Sequence, residues 1–245
     1  MTEYLAFALI ASLGMLVQST VGFAGSLLAV PLFSLLMSPR DAVPGYAFLM
    51  LAVNSFVVFE GRRHIAWRSV RGLLLGGLPG VPIGALALKH LPVSVIGAAI
   101  SIVTLLFGLL FLARVRIRFP THPFTEPLIG LLSGMLGGSI SESGPPVVVY
   151  GLSRQWPKDV FRSSLLAYFL CLSVTAASSY VALGMVTGRM LLLAAAALLP
   201  ALAAARLGVL VKERINERAF RLTVLAIILV VSISGLLKHV FISSP

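Results

Sequence analysis

One cysteine, Cys171, occurs in 245 residues. No internal disulfide forms, and a thiol relay, which needs a pair, is excluded. Charge is equally thin: 11% of residues are charged, against roughly 25% in a soluble domain. By contrast, 58% are hydrophobic and the mean hydropathy is +1.02. A water-soluble fold cannot hide that much apolar surface, so the chain reads as an integral membrane protein. It lacks the apolar–polar alternation of a β-barrel strand. The histidines, His64, His90, His122 and His239, fall in loops or at span ends without metal-ligand spacing, so no metal site is expected. No phosphate loop or other cofactor motif is present; no cofactor is expected, and energy must come from gradients. The opening MTEYLAFALIA carries Glu3 but no Lys or Arg, and so lacks the basic region of a signal peptide.

What is abundant is positive charge, with a net value of +11. The basic residues sit in short loops between apolar spans. That pattern fits retention on one side of a membrane, with secondary contact to anionic membrane lipid, and not nucleic-acid binding.

Residues 134–161 repeat residues 14–43. Gly14-Met15-Leu16 and Ser19 match Gly134-Met135-Leu136 and Ser139, and Pro39-Arg40-Asp41 matches Pro157-Lys158-Asp159. Further on, GALALKHLP (84–92) aligns with GVLVKERIN (208–216). Each copy runs apolar residues into a short glycine- and serine-rich break, then apolar residues again. Paired interrupted segments of this kind point to a transport site.

A full span needs about 20 apolar residues. Six segments meet this: 42–60, 70–88, 93–113, 163–183, 190–211 and 219–237. Two regions do not. Arms 4–17 and 26–37 flank QSTVGFAG, and arms 124–138 and 147–153 flank SISESGPP. At 1.5 Å per residue these arms are too short to cross, and each pair is expected to form a re-entrant hairpin. Charge counting supports this. Two hairpins (4–37 and 124–153) plus six crossings, with the N-terminus outside, put fifteen Lys and Arg on the inner side and four on the outer; eight crossings would split them ten to nine. The expected fold is therefore an all-α polytopic membrane protein of two inverted repeats, 1–113 and 124–245. Each holds one broken-helix hairpin and three transmembrane helices, and residues 114–123 form a cytoplasmic linker. The hairpins are expected to meet tip to tip near the membrane midplane.

Irregular backbone at membrane depth requires a protein or aqueous lining. Gln18, Ser19, Thr20, Gly22, Gly25 and Ser26 furnish the first tip; Ser139, Ser141, Glu142, Ser143 and Gly144 furnish the second. Helix starts near Gly25-Ser26 and Gly144-Pro145 would present N–H groups and a partial positive charge to a small anionic substrate. The same small residues also suit close helix packing. Glu142 is the only acid expected at mid-membrane, where an ionisable group is costly, and it is read as carrying a proton coupled to anion movement; a structural hydrogen-bond donor is the alternative. Asn54 is a further candidate for the pathway, or an inter-helix contact. Arg206 is a candidate at the cytoplasmic exit, or an arginine snorkelling to the interface. Pro79, Pro82 and Pro200, with Gly76, Gly77, Gly80 and Gly84, point to kinked helices or to close packing.

The two breaks, QSTVGFAGSLLAVPLF and GGSISESGPPVVVYG, the PRDAV and PKDVF segments after them, and the total length resemble the TauE/SafE family of sulfite exporters. The resemblance covers essentially the whole chain. It implies transport of sulfite or an organosulfonate across a bacterial inner membrane, without enzymatic activity, and its matching tip positions are Gln18, Gly22, Gly25, Ser139, Glu142, Gly144 and Pro145. The first tip has no acid matching Glu142. A passive anion channel is the alternative on the same scaffold. An intramembrane hydrolase using Ser141 or Ser143 lacks a histidine base within any span.

Overall fold

The computed structural model describes residues 2–61, 64–113, 119–120, 122–211 and 217–238. Among them the chain is all helical: α1 (Thr2–Val21), α2 (Gly25–Leu36), α3 (Pro39–Gly61), α4 (Trp67–His90), α5 (Val93–Leu112), α6 (Thr125–Ile140), α7 (Gly144–Ser153), α8 (Lys158–Ala182), α9 (Gly188–Val211) and α10 (Glu217–Leu237). The expected linker 114–123 lies largely outside the described residues.

Among the described residues five helices are long and apolar enough to cross a membrane, α1, α4, α5, α8 and α9; the expected spans 42–60 and 219–237 are not among them. Their outward faces carry large aliphatic side chains, such as Leu5, Leu9 and Leu13 on α1 and Ile102, Leu106 and Leu109 on α5. Those spacings keep one stripe facing outward, as a surface in contact with lipid tails requires. The helices α2 and α7 are the reverse. Most residues of each are buried, so both run through the interior.

Both breaks fold the chain back on itself. Gly25 lies against Gln18, Ala29 against Gly14, and the rings of Phe7 and Phe33 stack at 4.5 Å, so α2 returns antiparallel along α1. In the second region the Ser133 hydroxyl donates to the Ser143 carbonyl at 2.5 Å and the Tyr150 hydroxyl donates to Glu126 at 2.5 Å, so α7 returns along α6.

The loops gather at two ends. At one, Arg40 donates to the Leu91 carbonyl, Lys89 to the Leu183 carbonyl, Lys238 to the Leu35 carbonyl, and Arg189 pairs with Glu3. At the other, the Ala66 N–H donates to Ser164, and Arg68, Arg71, Arg154, Lys158 and Arg162 collect. These are called here the sparse end and the basic end. Hairpin α1–α2 enters from the sparse end and α6–α7 from the basic end.

Two expectations need correction. The first arm is not too short to cross: α1 continues through Gln18, Ser19 and Thr20 to Val21 and has the length of a span. The reason is that its polar groups are satisfied without leaving the helix. Gln18 donates to Asn54, and the Thr20 hydroxyl donates to the Leu16 carbonyl. Likewise α6 runs on through Ser139, whose hydroxyl returns to the Met135 carbonyl. The tips consequently do not meet midway. Gly22 and Phe23 lie against Arg162, Phe161 and Phe111, near the start of α8 and the end of α5, at the basic end. Ser141 reaches the Val43 carbonyl in the second turn of α3, and Gly138 receives the Tyr180 hydroxyl near the end of α8, toward the sparse end. Each hairpin passes the other.

The closest packing is between α4 and α6. Gly76, Gly80 and Gly84 face Gly130, Gly134 and Gly138, and a Cβ added at any of them would strike backbone of the opposite helix. Only glycine permits helix axes this close. Close packing therefore explains the α4 glycines, and α4 stays continuous through Pro79 and Pro82. The other large pairings are α1 with α9, α5 with α10, α3 with α8, α4 with α8 and α3 with α9.

Candidate functional site

Each break is set by backbone that leaves the right-handed helical region. Gly22 has φ +91° and Ala24 φ 72°; Ser141 has φ 54° and ends α6. Glycine adopts such a φ without strain, whereas Ala24 and Ser141 are held there by their surroundings.

At the second break Glu142 is fully buried. Its Oε1 accepts the Thr104 hydroxyl of α5 at 2.5 Å, and its Oε2 has no hydrogen-bond partner. A buried oxygen without a partner is costly, and such groups mark places where something else binds or a proton moves. Its chain neighbours Ser141 and Ser143 line a cavity of about 30 Å³ together with Ser173, Gly137, Phe169 and residues of α3 and α4, while the Glu142 side chain itself turns to α5. A space of that size admits a water-sized group. The Ser141 hydroxyl donates to the Val43 carbonyl at 3.2 Å, and the Ser173 hydroxyl to the Phe169 carbonyl at 2.8 Å. Hydroxyls rotate, so both can turn toward an occupant.

At the first break Gln18 is 3% exposed and donates through Nε2 to Asn54 Oδ1 at 2.9 Å; Asn54 is 1% exposed and its Nδ2 has no partner. Arg162 donates to the Ser19 carbonyl at 3.0 Å, and its stem covers Gly22. Asn54, Met50, Ala47 and Val43 lie at helical spacing on one face of α3. That face connects the amide pair, the cavity wall and the carbonyl that holds Ser141.

The remaining candidates are distributed as follows. Gln18 and Asn54 come together, as do Ser141, Ser143 and Glu142 around the second break. Gly25 packs against Gln18, and Ser26 is buried in the first turn of α2. Ser19 and Thr20 face the α1–α9 seam at Gly208. Gly144 has Phe169 as its nearest neighbour. Ser139 lies within α6, facing α4 at Gly84, and Arg206 is exposed on the outer face of α9. Sequence reasoning missed Thr104, Ser173 and Arg162. Thr104 and Ser173 each interrupt an apolar span, which was the available signal. In the sequence Arg162 reads only as one of the inner-side loop charges.

A family model, Sulfite exporter TauE/SafE, matches residues 6–235. The probable sulfite/organosulfonate exporter TauE of Cupriavidus necator is 28% identical over 163 residues, which is 62% of this chain and 62% of that protein. The alignment thus spans less than two thirds of that relative's length. No solved structure matches the chain. With its apolar helices and paired breaks, the chain is a multi-pass membrane protein and belongs to the TauE/SafE sulfite exporter family, whose members are transporters and not enzymes.

Proposed function

We propose that the protein is a secondary transporter that moves a small sulfur-containing oxyanion, sulfite or an organosulfonate, outward across a bacterial inner membrane by alternating access. In this reading residues 1–113 and 124–245 are inverted repeats joined by the linker 114–123. Three features support that symmetry. The hairpins enter from opposite ends. The pairing of α1 with α9 answers that of α6 with α4. The pairings α3 with α8 and α5 with α10 each join helices that hold the same place in the two repeats of this reading. The excess of Lys and Arg at the basic end assigns that end to the cytoplasm and the N-terminus to the outside.

The observation that carries the mechanism is Glu142, buried in the second break, held on one oxygen by Thr104 and without a partner on the other. It takes up and releases a proton as the anion moves, so charge movement is balanced in a low-dielectric interior. The substrate class rests on the similarity to the TauE relative of Cupriavidus necator.

The test is sulfite efflux from proteoliposomes with and without an imposed pH gradient. Saturable efflux that responds to the gradient is expected, and Glu142→Gln retains flux while losing the response. A response unchanged in Glu142→Gln sinks the proton role. Flux that barely saturates and ignores the gradient identifies a passive anion channel instead.

A further inference from the structure

The two breaks are built alike but furnished unequally. The second brings its own acid, Glu142, and its helix α7 starts Gly144-Pro145-Pro146. Proline has no N–H, so two of the donors a helix start normally offers are missing there. The first break, QSTVGFAGS, contains no acid. Its helix α2 starts Gly25-Ser26-Leu27, each with an N–H, and Ala24 supplies no side-chain cap. That first turn is buried. A buried, uncapped helix start leaves donors that need a partner.

A second, independent donor points the same way. Asn54 Nδ2 is buried without a partner, while Asn54 Oδ1 is fixed by Gln18, and Gln18 packs against Gly25 at the start of α2. Gln18, whose Oε1 lies beside Gly25, thus links the unused Asn54 amide to the uncapped helix start. Arg162, from the start of α8, packs against that end of α1, donating to the Ser19 carbonyl and covering Gly22. Its guanidinium can fork to an oxyanion as well as to a carbonyl.

We infer that the anion and proton roles are divided between the halves: the first break is the anion station, and the second is the proton station. The first-turn N–H groups of α2 and the Asn54 amide hold the oxygens of a small sulfur oxyanion, and Arg162 is the cationic residue that draws it in from the basic end. This rests on the transport reading above and assigns its substrate site. It also replaces a symmetric site shared by two facing tips, because the tips lie toward opposite ends of the molecule.

The experiment is calorimetric titration of sulfite, at fixed pH, into the purified full-length protein, with thermal midpoints recorded without sulfite. Asn54→Leu and Arg162→Gln each weaken binding about tenfold or more, the loss expected for charge-assisted hydrogen bonds. Arg162→Lys keeps more affinity than Arg162→Gln. Glu142→Gln removes the pH-gradient response of flux. Wild-type affinity in Asn54→Leu and Arg162→Gln overturns the assignment. Should Arg162→Gln fail to fold, Asn54→Asp decides: it keeps the shape and replaces donors by a repelling carboxylate, so undiminished binding overturns the proposal. Wild-type protein that binds neither sulfite nor methanesulfonate removes the substrate reading itself, an outcome separate from failure of the station alone.

Discussion

Gly22 and Gly144 each stand in one of the two breaks, and as glycines in a break the sequence treats them alike. The structure separates them. Gly22 has φ +91°, and a Cβ there would meet Arg162 Cγ at 3.0 Å; Gly144 has ordinary φ and its nearest neighbour, Phe169, at 3.6 Å. Gly22→Ala is expected to cost about 1–2 kcal/mol through the left-handed backbone, whereas Gly144→Ala stays within about 0.5 kcal/mol. Denaturant unfolding in detergent reads both. Thr104→Val keeps the shape of its side chain but leaves the second oxygen of Glu142 without a donor. A loss of about 1–3 kcal/mol is expected in the same assay. The importance of Glu142 was legible because it is an acid inside an apolar region. Its partner was not, since Thr104 sits 38 positions away in an otherwise featureless span.

At the scale of elements, the sequence marks the two breaks and the antiparallel return of each hairpin, because glycine, serine and proline punctuate otherwise continuous apolar runs. It misplaces the helix ends. The apolar run of α1 stops at Val17, but the helix does not. A polar side chain ends a helix only when its hydrogen bonds lie elsewhere, and the partner of Gln18 is 36 residues away on α3. The α4–α6 seam is the element most sensitive to change. Gly80→Ala and Gly134→Ala each drive a methyl into opposing backbone and are expected to abolish the monodisperse folded species in size-exclusion chromatography. Gly188→Ala, which meets nothing within 4 Å at the start of α9, is expected to leave it unchanged.

For the whole molecule, the uneven distribution of Lys and Arg was the most legible feature, since it needs only a count along the chain. Its structural counterpart is the two-ended gathering of loops. In a Cys171→Ser background, Leu91→Cys at the sparse end and His64→Cys at the basic end are expected to react with an impermeant maleimide from opposite faces of the membrane, Leu91→Cys from outside. Labelling of both from one face refutes the crossing pattern. Less legible was the exchange of partners between halves: α1 lies on α9, and α6 lies on α4. Pairing of this kind governs how the protein is made. At about 5–20 residues per second, the first helix leaves the ribosome long before Gly188–Val211 exists to receive it. The main packing partner of α1 comes late, and biogenesis must shelter an unfinished N-terminal helix until nearly the whole polypeptide has been inserted.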